Sequence, residues 1–369
     1  MAGYKIISAD SHVAEPPELY TELVAPEYRR RTPHVEKRNG GTYRVVEGRK
    51  PRRLDLAEAR LTEEDREKEF RHEAWGGRNL ERRVSEIERD GVSAEVIYPD
   101  YTLWVFSSPD PNYQMAVAQP YNNWVIDHFS PQRDRFAPVA VAPVIDIPRA
   151  IEEVKRVATL GFRVVAIPAL VSRLPYNQPE YEPLWEAIED SGMALSLHAR
   201  AVDYDPFPDN IGEEEQGGFI KWLVCGMSQV QEPITDLICS GMLERHPGIR
   251  FVVAECGAGW LAWLLYALDE QAEKKHMWIR PTLEMPPSEY FKRQGGVTFG
   301  DDLPALLNIS LTGADCLLWG SDYPHDEGTF PHSQEVIERT FGDLSESDKR
   351  KIVGENAARI YGFRGNGGG

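Results

Sequence analysis

Five side chains of metal-binding type stand at the same kind of place in this sequence, the end of an apolar run. Asp10 and His12 close "YKIISADSH" two residues apart, His198 ends "MALSLH", Glu255 follows "RFVVA", and Asp322 ends "CLLWGSD". Imidazoles mixed with carboxylates are a ligand set that divalent transition ions accept. An ion so held can lower the pKa of a bound water to near neutrality, or chelate a substrate carboxylate together with a neighbouring hydroxyl.

Each residue also has a structural reading. Asp10 could cap the turn that follows it, and Asp322 could be the acid of an Asx turn ahead of Pro324. His198, ending an apolar strand, needs partners for its ring nitrogens, which a core position can also supply. Glu255 is the hardest to explain this way. A carboxylate after "RFVVA" carries a large burial cost unless a cation pairs with it, and no Lys or Arg stands beside it in the sequence. Five separate structural explanations are less economical than one site, provided the fold gathers these strand ends.

Eight short β-rich runs are spaced along the chain: 4–10, 94–99, 136–144, 162–168, 193–199, 250–256, 296–300 and 316–322. Their near-continuous apolar character suits strands buried on both faces of a parallel sheet. Segments of helical periodicity separate them, among them 146–161, 181–192 and 259–276, and several stop near a Gly. Strand then helix, eight times over, predicts an α/β fold, a (β/α)8 TIM barrel, which brings the C-terminal ends of all strands to one mouth. His246, in "ERHPGIR", lies on the turn entering strand six and so falls at the opposite, stabilising face.

The barrel accounts for one catalytic domain over 1–364, with a flexible tail at 365–369. Residues 29–83 are read as an inserted helical segment after strand one, with a solvated charged helix over 52–73. Residues 203–218 are read as a second insertion, after strand five. Insertions after strands lie on the face where barrel enzymes work.

The 369 residues are 41% hydrophobic and carry a net charge of −18. Such acidity argues against nucleic-acid and anionic-membrane partners, leaving a small-molecule substrate. No run of about 20 apolar residues occurs and the N-terminus lacks the zones of a signal peptide, which predicts a cytoplasmic protein. The four cysteines, Cys225, Cys239, Cys256 and Cys316, show no CxxC spacing and are read as free, buried thiols. The apolar "WLAWLLYAL" and the 29–83 insertion are compatible with a homodimer, although barrel helices bury such faces in monomers as well.

"SADSHVAEP", "LSLHAR", "ERHPGIRFVVAECGAGW", "GSDYPH" and "DKRKIVGENAARIYGF" together resemble the amidohydrolase-related branch of the amidohydrolase superfamily, which includes the aminocarboxymuconate-semialdehyde decarboxylase group. The resemblance implies that Asp10 and His12 occupy the family's paired ligand positions after strand one and that His198 is its strand-five metal histidine. It also implies that Asp322 is the strand-eight aspartate that touches the metal and handles the proton of its bound water. Two departures stand out: Asp10 replaces a more usual histidine, and Glu255 stands where many members have a histidine. Strand four ends in "VVAIP", with no lysine to bridge two metals.

The predicted metal ligands are therefore Asp10, His12, His198, Glu255 and Asp322, holding one or two divalent ions, Fe, Mn or Zn. Three carboxylates lean away from a plain zinc centre. They favour a pair of metals with a bridging hydroxide, and they repel an acidic substrate unless more positive charge is present. On this count the first expectation is hydrolysis of an ester, thioester, lactone or amide, with Asp322 shuttling the proton. The alternative is non-oxidative decarboxylation of an unsaturated or aromatic acid. Tyr323 and His325, next to Asp322, are expected at the pocket wall, His325 as a catalytic or ligand-supporting group and Tyr323 as a substrate contact. Trp104, in "IYPDYTLWVF", is the candidate for an apolar substrate pocket, with Phe106 read as core.

Overall fold

The computed structural model describes residues 4–38, 40–53, 77–203, 218–325 and 327–363. Eight parallel strands form its centre: β1 (Ile7–Val13), β5 (Ala94–Pro99), β6 (Phe136–Val141), β7 (Val164–Ile167), β8 (Ala194–His198), β9 (Phe251–Ala254), β10 (Gly295–Phe299) and β11 (Leu317–Trp319). They pair in that order. The ring closes where β11 meets β1, with a parallel bridge from Ser11 to Tyr323. His12 N–H donates to the Tyr323 carbonyl at 2.7 Å and Asp322 N–H to the Asp10 carbonyl at 2.9 Å. All eight predicted strands are present, and the fold is the expected TIM barrel.

The strands form because their residues are apolar on both faces. Val96, Val139, Val165, Leu197 and Val253 are fully buried, the inner face filling the barrel and the outer one covered by helices. The helices carry readable punctuation. Asp146 caps helix Ile147–Leu160 by accepting the Arg149 N–H, and Gly161 ends it at φ 90°. Helix Leu261–Lys274, from the "WLAWLLYAL" stretch, buries Leu261, Ala262, Leu264 and Leu265 and leaves Trp263 and Tyr266 exposed. Among the described residues no helix is long and apolar enough to cross a membrane.

Between β1 and β5 the described residues depart from the expected helical insertion. They form an antiparallel sheet of β2 (His34–Arg38), β3 (Gly41–Val45) and β4 (Arg52–Arg53). Arg52 and Arg53, read from the sequence as the start of a charged helix, instead pair with Arg44 and Tyr43 of β3. Of the charged helix expected over 52–73, Arg52 and Arg53 are strand; 54–73 lies outside the described residues, as do most of 203–218 and the 365–369 tail. Helix Leu80–Arg89 then leads into β5, capped by the Asn79 side chain.

That helix carries Arg83 into the closing seam. Its guanidinium is buried against Glu95 of β5 at 2.7 Å and donates to the His12 carbonyl at 2.6 Å. The other Glu95 oxygen accepts from the Ser11 hydroxyl at 2.9 Å, and Ser8, Ser11 and Ser321 join hydroxyls across the seam. Gly320 is needed there, since a Cβ on it would lie 2.7 Å from Asp10 Cβ. The strands bearing Asp10, His12 and Asp322 are thereby locked together below the barrel mouth.

Candidate metal centre

Asp10 and His12 lie within β1, two residues apart, so the period-two alternation turns both to one side. The β1–β5 register shifts between Ser8 and Ser11, a local irregularity of the kind that re-aims side chains beside active sites. His198 is the last residue of β8 and pairs with Ala254 of β9, which sets Glu255 one residue above it. Arg200, Glu255 and Asp322, at φ 65°, 53° and 55°, are the three non-glycine residues with positive φ among those described. All three follow barrel strands at the mouth. Left-handed backbone costs such residues about 1–2 kcal/mol each, and it persists where the surroundings hold it for function.

The donor atoms converge. Those of Asp10, His12 and His198 all lie within 4.8 Å of one another, as do those of His12, Glu255, Asp322 and His325. Glu255 Oε2 stands 3.3 Å from His12 Nε2 and 3.2 Å from His198 Nε2, while Asp322 Oδ1 is 3.4 Å from His12 Nε2. Ligands around one ion with bonds of about 2.1 Å are separated by roughly 3–4 Å. Asp10 Oδ1, His12 Nε2 and His198 Nε2 are buried and make no hydrogen bond. Buried polar atoms normally find partners. Three orphaned lone-pair donors aimed at one point fit a divalent cation, which would satisfy all of them.

The surrounding contacts fix how each ligand is presented. His198 Nδ1 lies 2.8 Å from the Ala199 carbonyl, which can only accept, so Nδ1 carries the proton and Nε2 faces the centre with its lone pair. Thr298 of β10 donates its hydroxyl to Asp10 Oδ2 at 2.9 Å and accepts the Glu255 N–H at 2.9 Å. Glu255 Oε1 is ion-paired with Arg200. Asp322 Oδ1 is 2.9 Å from His325 Nδ1, and His325 Nε2 is 3.6 Å from Asp100 Oδ1 at the end of β5.

Protonation follows from these neighbours. Burial, helped by the His325 charge, drops His12 to about 3, and burial also lowers His198, so both stay neutral as ligands must. Burial lifts the Asp10 carboxyl against the pull of both histidines. For Asp322 burial is outweighed by His325 and the other histidines, and its carboxyl falls below the usual value. His325 is the mirror case: burial opposes its charge, but Asp322 and Asp100 together push it well above 6.5.

The structure thus brings together all five predicted ligand residues, with His325 beside them. Tyr323 is not at the pocket wall. It is 1% exposed, its hydroxyl donates to Glu86 and its ring lies under Arg83. Trp104 is half-buried on the rim, covered by the guanidiniums of Arg44 and Arg49 at 5.7 and 5.4 Å, while Phe106 is core. His246 is buried at the far face between Glu182 and Glu189. The four cysteines are free, Cys256 and Cys316 buried and the other two only partly so. Arg200, Thr298 and Asp100 were missed. Arg200 had a visible signal, two residues after His198 in "LHAR", and Asp100 another, as the polar residue that ends the apolar run 94–99; Thr298 had none.

Comparison with known proteins agrees with this geometry and changes the expected reaction. The sequence profile of the amidohydrolase family matches residues 100–363. The gamma-resorcylate decarboxylase of Rhizobium sp. (strain MTP-10005) is 25% identical over 284 residues, covering 70% of this chain and 79% of the relative. The crystal structure of 5-carboxyvanillate decarboxylase from Sphingomonas paucimobilis is 21% identical, with TM-score 0.71 over 98% of this chain and 99% of that one. A dihydroxybenzoic acid decarboxylase from Polaromonas sp. JS666, solved with bound manganese, has 18% identity and TM-score 0.63 over 97% of each chain. These relatives are decarboxylases, so the expectation of hydrolysis is corrected. Its physical basis also fails: it counted three carboxylates without their counter-charges, whereas Glu255 is paired with Arg200 and Asp322 with His325. With a family match over well more than half its length and the ligand atoms converged at the mouth of its barrel, this chain belongs to the amidohydrolase family, as a metal-dependent enzyme of that superfamily.

Proposed function

We propose that the chain is a Mn2+-dependent, non-oxidative decarboxylase of a hydroxylated aromatic carboxylic acid. One observation carries the choice: a cationic and aromatic rim stands over the acidic centre. Arg44 of β3 lies over Tyr101 and Trp104, at 5.0 and 5.7 Å. Arg49 donates to the Arg200 carbonyl at 2.8 Å, and Arg200 reaches Glu255. An aromatic acid requires this combination of a ring-stacking surface, positive charge for its carboxylate and a metal for chelation.

Asp10, His12, His198 and Asp322 are the residues that would hold the ion, with Glu255 kept beside them by Arg200. When bound, Mn2+ would chelate the substrate carboxylate with a neighbouring hydroxyl oxygen and withdraw electron density from the ring. The protein's own part is proton handling. As the bond from ring to carboxyl carbon breaks, its electron pair stays on the ring carbon, and the His325–Asp322 pair delivers the proton that replaces CO2. His325 suits this because its two acidic neighbours keep it protonated. The named activity of the relatives supports the reading.

The test is headspace CO2 release by Mn2+-loaded protein from a panel of ortho-hydroxylated benzoates, including 2,6-dihydroxybenzoate and 5-carboxyvanillate. Turnover of at least one, lost in H325N, is expected. No release from any member, with Mn2+ bound, would refute the proposal.

A further inference from the structure

Asp100 is assigned no role by the ligand set or by the rim, yet it is held with unusual care. Glu15, just past β1 and 2% exposed, accepts the N–H of Thr102 at 2.8 Å, of Tyr101 at 3.1 Å and of Asp100 at 3.3 Å. These are donors at the entry to the short helix Thr102–Ser107, which would otherwise lack partners. One buried carboxylate thereby organises the turn that follows β5, and that turn aims Asp100 at His325.

The contacts then run in a line. Asp100 Oδ1 is 3.6 Å from His325 Nε2, an ion-pair distance. His325 Nδ1 is 2.9 Å from Asp322 Oδ1, and that same oxygen is 3.4 Å from His12 Nε2. The His325 ring also lies against the His12 ring, centroids 4.1 Å apart. An imidazole between two carboxylates has its rotation fixed from both ends, and a ring anchored at Nε2 fixes the carboxylate at Nδ1. Without Asp100, His325 could turn about its side-chain bonds, and Asp322, already on strained backbone, would lose the restraint that the His325 ring gives it.

We infer that Asp100 is a positioning residue: acting through His325, it orients the Asp322 carboxylate toward the metal centre. Outer-shell partners of this kind are worth about 10–100-fold in metal affinity or activity. The inference rests on the proposed Mn2+ site but not on the proposed reaction, because its readout uses no substrate.

The experiment is a double-mutant cycle in Mn2+ affinity, read from the electron paramagnetic resonance signal of free Mn2+ during titration of the metal-free protein. D100A should weaken Mn2+ binding by about 10-fold or more. H325A should weaken it similarly, and D100A/H325A should be no weaker than H325A alone, since a residue acting through another has nothing left to act on. Thermal unfolding of the metal-free variants serves as the control for folding. If D100A does not fold, D100N carries the same cycle. Mn2+ affinity of D100A within two-fold of the parent would overturn the inference, as would losses that add in the double variant. H198A separates the two claims: its loss of Mn2+ with D100A unaffected refutes only the role of Asp100, whereas full Mn2+ binding by H198A refutes the metal site beneath both.

Discussion

The buried ion pair of Arg83 and Glu95 holds the seam that carries the ligands, and removing one member should destabilise the protein more than replacing both. Their side chains are 1% and 0% exposed, and Arg83 spends a second donor on the His12 carbonyl. R83M keeps an apolar stem against Tyr323, Phe129 and Phe136 but strands the Glu95 carboxylate. Removing one member of a buried pair costs about 3–5 kcal/mol, because the remaining charge is left uncompensated. Replacing both members is far milder. In R83M/E95Q the Gln carbonyl oxygen can still accept from Ser11, so the double variant should recover about 2 kcal/mol relative to R83M. The assay is urea unfolding followed by tryptophan fluorescence in EDTA, comparing midpoints at constant slope. A loss below about 1 kcal/mol for R83M, or a double variant less stable than R83M, would show that the Glu95 charge does not depend on Arg83.

Three further outcomes are expected. H198A and H12A should each abolish stoichiometric Mn2+ binding, measured by elemental analysis, while circular dichroism stays that of the parent. Metal-free protein should lose stability as pH falls below 6.5. His12 takes up its proton only near 3 when folded but near 6.5 when unfolded, so acid favours the unfolded chain between those values. The slope approaches about 1.4 kcal/mol per pH unit for this one group, and chemical unfolding at pH 7 and 5.5 should show H12N with the shallower decline. R44A should raise KM for the acid substrate by about 10-fold or more with kcat little changed, as loss of a charge-assisted contact made equally in ground and transition states would do; an unaltered KM would remove Arg44 from substrate binding.

Much of the site was legible because a parallel barrel writes its strands as nearly continuous apolar runs and collects their ends. Asp10, His12, His198, Glu255 and Asp322 could each be found by reading the polar residue that ends such a run. What stayed hidden depends on neighbours across strands. The Arg200–Glu255 pair joins the ends of β8 and β9, and overlooking it made the centre look too acidic for an acid substrate. Tyr323 shared a motif with Asp322 but not its direction. "GVTFG" is a faint strand signal for a packing reason: a Cβ at Gly295 would lie 2.7 Å from the Phe251 ring and one at Gly296 2.6 Å from Leu318, so β10 gives up side chains where its neighbours press closest. The sheet β2–β4 was obscured because its strands are charge-rich and lack apolar alternation: the β3 side chain that covers Tyr101 and Trp104 is Arg44 and not an apolar residue.

In the proposed reaction the metal centre removes CO2 from a hydroxylated aromatic acid and a proton is returned to the same carbon. The direct measurement is proton NMR of the Mn2+-loaded enzyme acting on 2,6-dihydroxybenzoate and its relatives in D2O. The expected product is a phenol with one deuterium at the carbon that bore the carboxylate, formed in step with CO2 and absent when the enzyme is H198A. An unchanged spectrum for every acid, from protein with Mn2+ bound and the parent fold intact, would contradict that reaction.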